Sequence, residues 1–240
     1  MCVDIADVSV AQCKDRYEER RSRELKFDAN FISADCTRAK LEDKYKEEGI
    51  AGIQFDLVSC QFVLHYAFES QEQAKCMLSN AVSNLKPGGF FFGTIPRSNY
   101  FVKKYHELDG VSKFGNDVFY VDFKTPGIQS FPLFGAKYVF YLDGAVEELS
   151  EYLIHFPLLD KMMVDLGMEC VLAEPFIDYV FKDGVLKEQV IVQRTRGLND
   201  LGTLQAKEWE VVACYMVFGF RKLTEEELSI RRDNKRQRVE

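Results

Sequence analysis

Long apolar runs are missing from this 240-residue chain, and none approaches the ~20 residues that cross a bilayer. The opening residues, Met1-Cys2-Val3-Asp4-Ile5, lack a basic region followed by an apolar one, so secretion is not expected. Basic charge is also short: 31 Lys and Arg against 38 Asp and Glu leave a formal charge of -7. That sign excludes broad electrostatic capture of a nucleic-acid backbone, which needs a basic face. Any RNA partner has to be gripped locally. Cys-x-x-Cys pairs are absent, and the seven cysteines are an odd number. Most of them (Cys2, Cys13, Cys60, Cys76, Cys170, Cys214) sit in apolar or helical contexts. This usage suits a reducing compartment and thiols packed as small hydrophobes, with neither a disulfide framework nor a zinc site.

What is present is the composition of a soluble globular protein, 47% hydrophobic and 29% charged. The chain reads as one domain over residues 1–222 with a charged tail over 223–240. Met1–Ile5 reads as a strand, and Asp7 can cap a helix running from Val8 to near Arg21. Phe31–Ala34 is a second strand ending at Asp35, Arg38–Lys46 a polar helix, and Phe55–Cys60 a buried third strand. Ser70 and Gln73 have capping-box spacing, and Ala74, Met77, Leu78, Ala81, Val82 and Leu85 follow at helical period. Lys86-Pro87-Gly88-Gly89 then turns into a strand Phe90–Ile95. The alternation predicts an α/β fold with a doubly wound, mostly parallel sheet covered on both faces. Beyond Pro96 the reading is strands at Val118–Phe123 and Tyr138–Leu142, a helix Phe156–Leu166 and a strand Met168–Ala173. A polar surface stretch Lys182–Leu204, a short helix with Trp209 and a last strand Cys214–Phe220 complete it.

Open α/β sheets bind ligands beyond the carboxyl ends of their strands. The block Ser59-Cys60-Gln61-Phe62-Val63-Leu64-His65-Tyr66 places Gln61, His65 and Tyr66 there. Asp4 closes the first strand, where an acid accepts hydrogen bonds from the ribose of a nucleotide-like cofactor, and Asp35 closes the next, within reach of an adenine amino group. The competing readings are helix caps or turn residues for the aspartates and a capped sheet edge for the histidine and aromatics. A glycine-rich turn after the first strand is not found. Gly88-Gly89 follows a helix rather than a strand, so the visible chain is expected to begin at the second strand of its sheet.

Several blocks resemble the eukaryotic mRNA cap guanine-N7 methyltransferases. They are Val3-Asp4-Ile5-Ala6, Phe31-Ile32-Ser33-Ala34-Asp35, Ser59-Cys60-Gln61-Phe62 with His65-Tyr66, Lys86-Pro87-Gly88-Gly89, Phe156-Pro157-Leu158-Leu159, and Gly202-Thr203-Leu204 with Glu208-Trp209-Glu210. The resemblance implies a class I, Rossmann-like methyltransferase fold lacking its first strand and glycine-rich loop. It also implies S-adenosylmethionine as cofactor and methyl transfer to N7 of the guanine cap at the 5′ end of mRNA. By matching position, Asp4, Asp35, Gln61 and Tyr66 resemble cofactor contacts, and Arg16, His65, Glu151 and Tyr215 cap-binding positions. Taken on their own, Glu151 reads as a solvated helix-start acid and Tyr215 as core packing. The implied mechanism is proximity and orientation, with no metal and no acid–base dyad. Implied partners are capped RNA and an activating subunit or the capping and transcription machinery, and the implied location is the nucleus. Arg231-Arg232 and Lys235-Arg236-Gln237-Arg238 read either as an import signal or as a solvated helix or disordered end. Two alternatives remain: a catalytically impaired truncated form acting as a cap- or partner-binding module, and a small-molecule methyltransferase on the same fold.

Overall fold

The computed structural model describes residues 1–21, 27–109, 111–182 and 204–237. Its amino-terminal part alternates β1 (Cys2–Asp4), α1 (Asp7–Arg21), β2 (Phe31–Ser33), α2 (Leu41–Glu47), β3 (Phe55–Gln61), a 3-10 turn (Leu64–Glu69), α3 (Gln71–Val82) and β4 (Leu85–Pro96). Next come α4 (Ser98–Glu107) and four antiparallel strands: β5 (Lys113–Gly115), β6 (Phe119–Asp122), β7 (Lys137–Leu142) and β8 (Val146–Tyr152). The rest is α5 (Phe156–Asp165), β9 (Met168–Pro175), α6 (Phe176–Lys182), α7 (Ala206–Ala213), β10 (Tyr215–Lys222) and α8 (Glu225–Gln237). The polar stretch expected over 182–204 lies almost wholly outside the described residues.

The α/β class holds, with the strands of the expected mostly parallel sheet divided between separate ladders. β1 and β2 pair in parallel as a unit of their own. β3 pairs in parallel with β4, and the order β3-β4-β10-β9 finishes with two antiparallel pairings. Among the described residues, no ladder joins β1 to β3. The third strand is consequently not buried as its composition suggests: only Cys60 is buried and Leu57 is 61% exposed. Side chains tie the two units instead. On α3, Asn80 donates to the carbonyls of Cys36 and Ala39 and accepts from the Leu41 amide, and Tyr45 meets Phe55 edge-on.

Two cores organise the remainder. One lies where α3 and α5 cover the four-stranded sheet, with Leu78, Phe91, Leu159, Met163, Phe218 and Phe220 buried at its centre. The other lies under the antiparallel β5–β8 sheet, where Phe101, Tyr105, Phe119, Tyr138 and Phe140 close against one another. Gly93 on β4 is required by close approach, because a Cβ there would lie 1.9 Å from the Cys60 carbonyl.

Local signals mostly act as expected. Ser70 caps α3, its hydroxyl accepting from the Gln73 amide. Asp7 does not serve as a cap: it is the first helical residue and its carboxylate accepts from the Ser33 hydroxyl. Leu85 was expected to continue α3, but it opens β4, because the residue before a proline, here Lys86, favours extended backbone. Gly88, at φ +80°, absorbs the resulting kink and register shift inside the strand. The end of α3 is held by Lys222, whose ammonium donates to the Val82 and Leu85 carbonyls at 2.9 and 2.8 Å.

Candidate functional site

The pocket at the carboxyl ends of β3 and β4 is assembled from three directions. The 3-10 turn after β3 contributes His65 and Tyr66, β8 contributes Glu151, and the start of β10 contributes Tyr215. Phe62, Phe176 and the aliphatic Leu142, Val146, Val211 and Val212 complete a cavity of about 390 Å3, within the range of small-ligand sites. Residues expected from three stretches of sequence therefore meet in one place: His65, Glu151 and Tyr215, expected as cap contacts, and Tyr66, expected as a cofactor contact.

Glu151 is 5% exposed, so its charge has been taken out of water and needs compensation. Register supplies it. Tyr138 on β7 lies directly opposite Glu151 on β8, and its hydroxyl donates to Oε2 at 2.7 Å. The Tyr66 hydroxyl makes a longer contact with Oε1, 3.4 Å. Burial, reinforced by the neighbouring carboxylate, pushes the Tyr66 phenol up to about 12 and the Tyr138 and Tyr215 phenols well above their usual range. All three hydroxyls are therefore donors at neutral pH. The reading of Glu151 as a solvated helix-start acid is overturned: it stands on a strand, and the cross-strand pairing turns it inward.

His65 is 2% exposed, and among the described residues neither ring nitrogen has a hydrogen-bond partner. Its Nε2 lies 3.3 Å from Glu151 Oε1, near enough for attraction but not aligned for a bond. An unpartnered buried polar group costs about 1–3 kcal/mol. Such a group in a pocket wall is explained when a ligand supplies the partner.

The aromatic walls have their own geometry. Phe62 meets Tyr215 edge-on, ring centroids 5.0 Å apart at 88°, and Tyr215 makes a second edge contact with Phe140. Phe62 carries φ +56°, a left-handed backbone that a bulky side chain adopts at a cost of about 1–3 kcal/mol. Its amide is anchored to the Thr94 carbonyl at 3.0 Å. Sequence reasoning quoted Phe62 within the motif without assigning it a role, and it did not single out Tyr138 at all. A strained aromatic cannot be seen in a sequence, and nor can a cross-strand partner.

The other expected residues lie elsewhere. Asp4 ends β1, with Oδ1 accepting from the Ala6 amide at 2.8 Å. Asp35 lies just past β2, accepting from the Thr37 amide and hydroxyl and pairing with Arg38. Gln61 ends β3, tied to Thr94 and Ser59. None of the three lines the Glu151 cavity. Arg16 stands exposed on α1, also outside that lining. A roomier cavity of about 690 Å3, walled by Arg97, His155 and Phe156 among others, contains none of the residues expected from sequence.

The model of the mRNA (guanine-N(7))-methyltransferase domain matches residues 1–223. The chain belongs to that family. Among its relatives, the mRNA cap guanine-N(7) methyltransferase of Drosophila melanogaster is 37% identical over 92% of this chain and 58% of its own length. The rice mRNA cap guanine-N(7) methyltransferase 1 is 34% identical over 92% and 62%. The chain thus spans about three fifths of the curated relatives it matches most strongly. Among solved structures, an S-adenosylmethionine-dependent methyltransferase from Clostridium acetobutylicum superposes with a TM-score of 0.51 over 92% of this chain and 74% of that one, at 13% identity. This places the fold in the class I methyltransferase group. In the guanine-N7 family frame, Glu151, His65, Tyr66 and Tyr215 are brought together, while Asp4, Asp35 and Gln61 close separate strands.

Proposed function

We propose that this protein transfers the methyl group of S-adenosylmethionine to N7 of the guanine cap at the 5′ end of mRNA, with the Glu151 cavity as the guanine site. The observation that carries the reading is a buried carboxylate whose Oε2 is held by Tyr138 while Oε1 stays beside an unpartnered imidazole, between aromatic walls. Guanine offers adjacent N–H donors on its Watson–Crick edge, and a carboxylate is their natural acceptor. Phe62 and Tyr215 offer apolar surface to a purine.

S-adenosylmethionine supplies an electrophilic methyl group on a sulfonium. The acceptor chemistry of Asp4 suits the adenosine part: among the described residues its Oδ2 has no protein hydrogen bond and can accept from a ribose hydroxyl. Asp35 and Gln61 fit less simply, since their polar atoms already have protein partners. N7 of guanine carries a free lone pair, so the chain need not take a proton from it. Its task is alignment, worth about 7–11 kcal/mol of barrier in well-oriented reactions. Methylation leaves positive charge on the purine, and the buried Glu151 carboxylate and aromatic faces interact more strongly as that charge grows.

The partners of this reading are capped RNA and an activating subunit or the capping and transcription machinery. Its location is the nucleus, supported by the basic residues Arg231-Arg232 at the end of the chain. Unchanged nuclear accumulation of a fluorescent fusion lacking residues 231–238 would discard that signal. The reading itself is tested by titrating the protein with a cap analogue and with S-adenosylmethionine in a calorimeter, then assaying methyl transfer to capped RNA. Indifference to the cap analogue alongside cofactor binding favours a small-molecule methyltransferase. Cap affinity without cofactor affinity favours a binding module.

A further inference from the structure

We infer that Tyr138 is a positioning residue for guanine recognition: from outside the cavity, it fixes the Glu151 carboxylate so that Oε1 is the oxygen presented to the ligand. The inference rests on the function proposed above and adds a residue that neither the sequence motifs nor the family resemblance pointed to. Tyr138 is 1% exposed and does not line the cavity. Its ring is held in the second core by edge contact with Phe101, centroids 5.3 Å apart at 79°, and by tilted contact with Phe123 at 6.0 Å. The hydroxyl leaves that core only to reach Glu151 Oε2, 2.7 Å away. The rest of the carboxylate's surroundings are looser. Tyr66 stands at 3.4 Å on a 3-10 turn, and His65 is out of alignment.

Because the two residues are opposed across β7 and β8, the bond also reports on register. A slip of one residue would carry Glu151 to the other face of the sheet. Just beyond, the ladder is irregular between Phe140 and Leu142, and Glu148 takes φ +44°. Tyr138 thus anchors Glu151 on the regular side of an irregular hairpin. A flexible glutamate tied at one oxygen by a rigid aromatic donor loses its freedom before the ligand arrives. That is the condition for strong recognition by few contacts.

The test is Tyr138→Phe, which keeps the ring and removes the donor. Calorimetry should give a cap-analogue affinity about tenfold weaker, roughly the worth of one hydrogen bond to a charged group, with S-adenosylmethionine affinity unchanged. Steady-state assays should put the loss in KM for capped RNA and leave KM for the cofactor alone. The coupling is read against Glu151→Ala, which leaves Tyr138 no side-chain acceptor to orient. If Tyr138 acts through Glu151, the double variant binds the cap analogue as Glu151→Ala does. That comparison also serves if Tyr138→Phe alone fails to fold. Cap affinity within twofold of wild type, an equal fall in cofactor affinity, or a further large loss in the double variant would overturn the inference. Absence of cap binding in the wild-type protein would instead sink the function proposed for the site.

Discussion

Replacing Glu151 with Gln changes one charge in the centre of the pocket and almost nothing of its volume. In the wild-type structure Oε2 accepts from Tyr138 at 2.7 Å, while Oε1 has only the long 3.4 Å contact from the Tyr66 hydroxyl. A glutamine can satisfy Tyr138 only by turning its oxygen that way, and its NH2 group then faces the ligand. A guanine approaching by its N–H edge would meet donors where it had met an acceptor. The opposite rotamer leaves the Tyr138 hydroxyl facing an NH2 group inside the protein. Each arrangement loses at least one hydrogen bond to a charged acceptor, worth about 1.5–3 kcal/mol, and leaves a buried donor unmatched. A total of about 2–4 kcal/mol corresponds to a cap affinity weakened roughly 30- to 1,000-fold at 1.4 kcal/mol per decade. Cofactor affinity should stay within about twofold, because Asp4, Asp35 and Gln61 lie outside the cavity lining and Tyr66, the expected cofactor contact that lines it, is left in place. Parallel calorimetric titrations with a cap analogue and S-adenosylmethionine separate the two, and a melting curve checks the fold. Unchanged cap affinity, or equal losses for both ligands, would refute the assignment of Glu151 as the guanine acceptor.

Three further outcomes follow from other parts of the structure. Asp4→Ala should weaken S-adenosylmethionine binding about tenfold by removing a charged acceptor for a ribose hydroxyl, with cap affinity retained; undiminished cofactor binding would withdraw the ribose assignment. Phe62→Gly should relieve about 1 kcal/mol of left-handed backbone strain and remove a pocket wall, so the melting temperature should hold or rise while cap affinity falls. A fall in both would mean that the ring serves the fold rather than the site. The Glu227 carboxylate, held down to about 2 by Arg221 and then by the Thr224 amide, contributes stability that is full above its ordinary value of 4.5 and is lost as pH falls towards 2. Stabilities followed by circular dichroism should therefore differ between wild type and Glu227→Gln above pH 4.5 and converge as pH falls towards 2, with the variant flatter across that window; parallel curves there would show that the pair does not hold α8.

The early β-α alternation was legible because each element carries its own local signal. Ser70 caps α3, and Phe55 and Phe31 open strands at the expected places. What the pattern could not supply was pairing. β1 and β3 both read as parallel-sheet strands, yet the ladders are β1 with β2 and β3 with β4. The exposure of Leu57 follows from pairing, not from composition. The antiparallel β5–β8 sheet was only half visible, since β8 reads Val-Glu-Glu-Leu-Ser-Glu-Tyr, a pattern more suited to a solvated segment.

The site divides along the same line. His65, Tyr66, Glu151 and Tyr215 could be named because family motifs mark them, but the reason they work together is tertiary. Glu151 is separated from Tyr66 by 85 positions and from Tyr138 by 13, and only the β7–β8 register decides which of three glutamates on β8 turns inward. Glu147 and Glu148 stay exposed, while Glu151 is buried opposite Tyr138. The side chain proposed to position Glu151 is thus one outside the cavity lining. Charge alone would leave all three glutamates equivalent; only the one facing a buried phenol has an oxygen fixed by it, and on the guanine-site proposal the variant with the ring but without the hydroxyl is therefore the sharper probe of recognition.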